Sequence, residues 1–326
     1  MSEVVDLAAF DPIFIVGAPR SGTTLLRAML SRHPRIGLSD ETYYLYTVYQ
    51  RRRAFGDLAN PANRKALIES YTATQRVQHL KIDLSRLKER LMAEGTSYPA
   101  FFASFLQFYA EEQGKVRAGE KTPHHARYVN TLLEWYPNGR VIHLVRDPRD
   151  VCASLCNMPW GRKAATANAD LWVDLTVSAE RGQGHPRFCR VRYEDIVADP
   201  ERALRNLCEF IGEEFDPAML STTPVSTADK PWFLRSHEAL SKERMGVWQR
   251  RMSRNDVGLI EAIAGPLMMA MGYELSGRPA STVLRVRGRV HSTVEHLKEK
   301  FLGAPRIWYS RFQPKNLVAL EKWTDR

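Results

Sequence analysis

Phe14-Ile15-Val16-Gly17-Ala18-Pro19-Arg20-Ser21-Gly22-Thr23-Thr24-Leu25-Leu26 decides the fold of this chain. A short apolar run ends at Gly17 and a small polar loop follows. From Thr23 the apolar residues Leu25, Leu26, Met29 and Leu30 recur at helical spacing. The segment reads as strand, loop, helix. Glycines at both ends of the loop permit tight turns and close approach of the backbone to a ligand. A helix start offers unpaired N–H groups and a positive dipole end to an oxyanion. Arg20 adds a cation able to bind an oxyanion through two N–H groups, and Ser21, Thr23 and Thr24 add hydroxyls. A glycine-rich turn without chemistry would explain the glycines, but not the strand, the arginine and the helix together.

Outward from this loop, His33-Pro34 closes the helix, and Tyr43 to about Phe55 is aromatic-rich and predicted helical. Residues 57–115 read as several helices broken at Gly95 and Pro99. Phe101, Phe102, Phe105, Leu106 and Tyr109 repeat at helical spacing, as core residues do. Strand signals return weakly at Val116-Arg117-Ala118, clearly at Val141-Ile142-His143-Leu144-Val145, and again from Phe188 to Val191. The second of these is nearly all apolar, as a strand covered on both faces should be. Asp147-Pro148 opens another helix, and Pro200 to Ile211 forms one more, with Leu204, Leu207, Cys208 and Ile211 as its stripe. Strands alternating with helices predict an α/β, P-loop-type three-layer fold with a central parallel sheet flanked by helices. Ligands of such sheets sit at the carboxyl ends of the strands. The loops after Val16, Ala118, Val145 and Val191 are therefore expected to converge on one site.

The chain has 326 residues with an ordinary globular balance, 44% hydrophobic and 26% charged. Its net charge of +10 suits an anionic ligand, nucleic acid or an anionic membrane surface. No arginine-rich tract or aromatic RNA-binding box accompanies it, which argues against nucleic acid. Met1 to Pro12 lacks the layout of a signal peptide, and no run of 18 apolar residues exists. Four scattered cysteines, Cys152, Cys156, Cys189 and Cys208, do not make a disulfide framework. Cys152 and Cys156 lack two further ligands for a metal and are expected to be buried thiols. A cytoplasmic location is expected. From Arg278 onward, basic residues outnumber acidic ones and mix with Leu297, Phe301, Ile307, Trp308, Tyr309 and Phe312. The chain is accordingly divided into a domain over 1–275, with a helical acceptor-site insertion at about 43–115, and a basic amphipathic extension over 276–326. That extension either packs back on the core or meets an anionic membrane peripherally.

The spacing Gly17 to Thr23 matches the nucleotide-triphosphate loop G-x-x-x-x-G-K-[ST], except that Thr23 stands at the lysine. A kinase with an altered Walker A loop, using Asp147 as its magnesium acid, is one alternative. A non-catalytic nucleotide sensor is another. A second phosphate element follows the best strand: Arg146 at its end, and Ser154 eight residues on, two helical turns into the next helix. Two phosphate elements at two strand ends suit an adenosine carrying phosphates at both ends.

Ala18-Pro19-Arg20-Ser21-Gly22-Thr23-Thr24 resembles the 5′-phosphosulfate loop of the sulfotransferases that use 3′-phosphoadenosine 5′-phosphosulfate (PAPS). Arg146 with Ser154 is similar to their 3′-phosphate pair. Tyr193-Glu194-Asp195 resembles a segment near their nucleotide, and Gly246-Val247-Trp248-Gln249-Arg250 a late element of bacterial members. The resemblance spans about 13–250 and lies nearest the tyrosylprotein and glycan enzymes. It implies that Arg20, Ser21, Gly22, Thr23 and Thr24 hold the 5′-phosphosulfate, and Arg146 and Ser154 the 3′-phosphate, with Tyr193 and Lys242 nearby. It also implies PAPS as cosubstrate, 3′,5′-bisphosphoadenosine as product, and no metal. Asp40-Glu41-Thr42 resembles the Glu-Glu-Thr element of the tyrosylprotein enzymes, which implies Glu41 as the base. The small-molecule enzymes use the histidine of Lys-Thr-His, but here Glu120-Lys121-Thr122-Pro123-His124-His125 places Pro123 there. His124 is the reserve base, and Lys121 stabilises the transferring group. The acceptor is a small molecule, a glycan or a peptide tyrosine.

Overall fold

The computed structural model describes residues 5–159, 161, 163–221, 242–277 and 315–318. Five strands form one parallel sheet: β1 (Ile13–Gly17), β2 (Ile36–Ser39), β3 (Arg117–Lys121), β4 (Arg140–Val145) and β5 (Phe188–Arg192). Their spatial order is β2-β3-β1-β4-β5. β1 is central, with Ile15 level with Lys121 on one side and Ile142 on the other. The loop after β1 thus emerges between neighbours on both sides, at the point where chain order reverses.

Side-chain alternation builds the three layers. Ile13 and Ile15 point to a core shared with Leu26, Leu30, Leu204, Leu207 and Ile211. Phe14 and Val16 point the other way, into a core with Phe101, Phe102, Leu106, Trp172 and Leu175. Phe14 stacks on Phe102 at 6.1 Å and on Tyr136 at 5.6 Å. The aromatic stripe Phe101, Phe102, Phe105 and Leu106 is fully buried, as its spacing implied. Pro99 does not interrupt this helix but starts it: Tyr98–Glu112 has proline in its first turn and a Ser97 cap. Gly95 ends the preceding helix, Leu84–Glu94.

Three elements differ from the expectation. β2 has only four residues, Ile-Gly-Leu-Ser, too few to reveal a period, yet all four are buried beside β3. β3 lies further along than the apolar signal at 116–118 suggests. Val116 is 67% exposed and outside the strand. The strand instead buries Arg117, Glu120 and Lys121: Glu213 and Glu41 from distant segments meet Arg117 and Lys121, and His125 just past the strand contacts Glu120. The region from Tyr43 to Phe55 is not one helix. It breaks into Tyr44–Thr47, a 3-10 turn at Tyr49–Arg51, and Arg52–Phe55, after Tyr43 adopts a left-handed φ of 51°. The C-terminal extension predicted at 276–326 lies outside the described residues apart from 276–277 and 315–318, where Leu317 packs into the core. No helix among the described residues is long and apolar enough to cross a membrane.

Candidate functional site

The loop after β1 is shaped by close contacts. Gly17 has φ 151°, and a Cβ there would lie 2.3 Å from Leu144 O. Gly22 has φ 98°, and a Cβ would lie 2.4 Å from the Tyr193 ring. Gly22 flanks the helix Thr23–Leu30, whose first turn has no side-chain cap. Those amides are the kind that an oxyanion completes. The buried Ser21 Oγ likewise has no hydrogen-bond partner among the described residues.

The arginine of the loop and the second phosphate element meet. Arg20 Nε donates to Ser154 Oγ at 3.0 Å, and Arg146 Nη1 donates to Arg20 O at 3.2 Å. Ser154 therefore joins Arg20 rather than bonding Arg146, and the two elements form one continuous cradle. The Arg146 guanidinium lies 4.4 Å over the Tyr193 ring, so Tyr193 is a floor for both Gly22 and Arg146. Arg146 Nε is buried without a hydrogen-bond partner among the described residues.

Arg244 adds a residue that the motifs did not single out. Arg146 Nη2 donates to Arg244 O at 2.5 Å. Burial, then the charges of Arg146 and Arg244, lower the pKa of Arg20, while Glu41 partly opposes them. Three guanidinium groups gathered at the ends of the neighbouring strands β1 and β4 favour an anion between them. Its only sequence signal was position, two residues before the Gly246 element; the Lys242 side chain lies outside the described residues.

Opposite this cradle stands an acidic element. Asp40, Glu41 and Thr42 form a coil between β2 and the helix Tyr44–Thr47. Lys121 is wholly buried, with Nζ 2.6 Å from Glu41 Oε1 and 2.9 Å from Asp40 Oδ1. Burial alone would lower Lys121, but Asp40 and Glu41 raise it. Burial alone would raise Asp40, but Lys121 and Arg27 hold it well below the usual carboxylate range. On the other face of β3, Glu120 accepts from Thr42 Oγ1 at 2.5 Å and Thr122 Oγ1 at 2.9 Å, and contacts His125 Nδ1. Adjacent strand residues thus grip the acidic element from both sides.

His124 stands beside Tyr43, 3.4 Å from its hydroxyl through Nδ1. Burial first, then Arg127, push His124 down to about 4, which makes it a weak proton acceptor at neutral pH. Below pH 6.5 the unfolded imidazole takes up a proton that the folded one refuses until about pH 4. Stability is therefore expected to fall as pH drops through that window, by up to about 3 kcal/mol. His124→Asn should flatten this part of the melting temperature against pH curve relative to the unsubstituted chain.

The rival metal acid is occupied. Asp147 caps the helix Pro148–Cys156 through Arg149 N, and its carboxylate takes Arg149 Nη2 at 2.7 Å and Nε at 3.0 Å. That leaves it engaged where a Walker acid would face magnesium. The four cysteines are free thiols; Cys152 and Cys156 donate to Ala165 O and Lys163 O.

Comparison with known proteins joins this geometry to a lineage. A model of the Sulfotransferase family matches residues 12–217, which hold the loops of Arg20 and Arg146 and the acidic element. A protein-tyrosine sulfotransferase of Drosophila melanogaster is 24% identical over 92% of this chain. This chain spans 58% of the length of that fly protein. Protein-tyrosine sulfotransferase A of Caenorhabditis elegans is 24% identical over 82% of this chain and 68% of its own length. Among solved structures, the sulfotransferase domain of the Synechococcus PCC 7002 olefin synthase superposes with a TM-score of 0.59. It is 24% identical and covers 84% of this chain and all of that domain. The sulfotransferase domain from the curacin biosynthetic pathway gives 0.54 at 21% identity, over 82% of this chain and 99% of its own. These structural likenesses speak to the fold, and the family match speaks to descent: the chain belongs to the sulfotransferase family.

Proposed function

We propose that this chain transfers a sulfuryl group from PAPS to a hydroxyl or amine acceptor, with Glu41 as the base. The observation that carries this reading is the joint between Arg20, Ser154 and Arg146, a cationic cradle facing Glu41 and Lys121. Loop residues Arg20 to Thr24 would hold the 5′-phosphosulfate through the guanidinium, backbone amides and hydroxyls. Arg146 and Ser154 would hold the 3′-phosphate, beside the Tyr193 ring. No metal is needed to gather these anions, because guanidinium groups supply the charge.

Glu41 would accept the acceptor's proton as its oxygen forms a bond to sulfur. The sulfur–oxygen bond to the 5′-phosphate breaks, and 3′,5′-bisphosphoadenosine leaves with that electron pair. Lys121, fixed against Glu41, places a positive charge where anion develops. Pro123, at the place of the histidine in Lys-Thr-His, favours Glu41 over a histidine base. The domain is read as 1–275, with the helices between Tyr43 and Lys115 forming the acceptor side. Tyr43, Tyr46 and His124 lie within 6.3 Å of one another by ring centroids and would line its mouth. Such a wall accepts a peptide tyrosine, a glycan or another small molecule.

The test is an acceptor screen with labelled PAPS, read by mass spectrometry for the gain of one sulfuryl group. Calorimetry with 3′,5′-bisphosphoadenosine runs beside it. Heat from the bisphosphate without magnesium is expected; heat from magnesium ATP alone overturns the assignment.

A further inference from the structure

Asp150 lies in the middle of the arginine motif, yet its hydrogen bonds go to a distant segment. It is 2% exposed, and its two oxygens serve a segment nearly one hundred residues later. Gly246 N donates to Oδ2 at 2.9 Å and Trp248 N donates to Oδ1 at 2.9 Å. The intervening turn needs Gly246 at φ 66°. Trp248 is held from its ring face as well, by Arg149 at 4.1 Å. Asp150 is not needed as a helix cap, because Asp147 already fills that role. Arg146 lies 3.6 Å from Asp150 and donates to Arg244 O, two residues before Gly246. The clip thus fixes the backbone that carries Arg244 to the cradle, and Arg244 is one of the two positive charges that act on Arg20 there. The late segment falls outside residues 12–217, the part that matches the family.

We propose that Asp150 is a positioning residue for nucleotide binding. Its carboxylate clips Gly246 and Trp248, and so holds Arg244 against the cradle of Arg20 and Arg146. The inference rests on the nucleotide reading of that cradle. An asparagine here would keep one acceptor and turn an N–H₂ toward the second amide, so the clip would open with little change in volume.

The experiment is calorimetry of 3′,5′-bisphosphoadenosine against the full chain, Asp150→Asn, Arg244→Gln and the double variant. Each single change is expected to raise Kd about 10- to 100-fold, as loss of charged hydrogen bonds does. The double variant should bind no more than about threefold worse than the weaker single, because coupled sites are not additive. A merely structural role would not produce that coupling. With saturating PAPS, kcat of Asp150→Asn should stay within about threefold of the unsubstituted chain, while KM for PAPS rises. Amide exchange gives a reading that needs no variant: the bisphosphate should slow exchange at Gly246 and Trp248. If the unsubstituted chain does not bind the bisphosphate, the nucleotide reading falls, and this inference with it. If it binds, but Asp150→Asn binds equally, or the two changes simply add, or Gly246 and Trp248 are unaffected by nucleotide, only the clip is overturned.

Discussion

Glu41→Gln is expected to lower kcat by about 100- to 10,000-fold, the range for loss of a general base. The substitution keeps the shape of the side chain and an oxygen that can accept from Lys121 Nζ, now 2.6 Å away. It removes the proton acceptor and one of the two negative charges flanking Lys121. Asp40 still pairs with that lysine, so the fold should persist and Kd for 3′,5′-bisphosphoadenosine should change little. The measurement is single-turnover transfer of labelled sulfuryl to an acceptor found by screening. Full kcat in Glu41→Gln would remove Glu41 as base and return the role to His124. His124→Asn should keep most of the turnover, because it leaves the Glu41 carboxylate and its Lys121 partner in place.

Arg146→Ala is expected to weaken binding of 3′,5′-bisphosphoadenosine by roughly 30- to 5,000-fold, as truncation of a buried charged partner costs about 2–5 kcal/mol. Arg146 touches more of the site than any sequence motif implied. It reaches the backbone of Arg20, the backbone of Arg244, the face of Tyr193 and the carboxylate of Asp150. Its loss would leave Asp150 without its nearest cation and free the turn that carries Arg244. Both the phosphate grip and its second support would then weaken together. Calorimetry measures the first effect, and thermal melting with and without the bisphosphate separates it from a loss of fold. Unchanged affinity, with the melting temperature still raised by the bisphosphate, would mean that the 3′-phosphate is held elsewhere.

The sheet order explains why these two residues act together. β1 lies between β3 and β4, so its loop has Lys121 at the end of one neighbour and Arg146 just past the end of the other. A phosphosulfate held at the loop would thus have a cationic grip on one side and the Glu41–Lys121 pair on the opposite side. The loop at Gly22 leaves no room for a side chain beneath Tyr193, which keeps the backbone amides close to that ligand position.

By itself the sequence determined the strand–loop–helix at 14–30 and the apolar strand at 141–145, and it singled out Arg20 and Arg146 at the ends of two strands. These are local signals: an apolar run, a pair of glycines and an arginine within a few residues report their own conformation and chemistry. The aromatic core helix was legible for the same reason. Only the tertiary structure decided that Arg20 pairs with Ser154, that Lys121 meets Asp40 and Glu41, and that Asp150 serves Gly246 and Trp248. It also decided that a polar pentapeptide, Arg117 to Lys121, is an inner strand while apolar Val116 faces solvent. The physical reason is charge compensation across the sheet. A buried lysine or glutamate is tolerable only beside its partner, and in a parallel sheet that partner arrives from a strand end many residues away, where no periodicity can announce it.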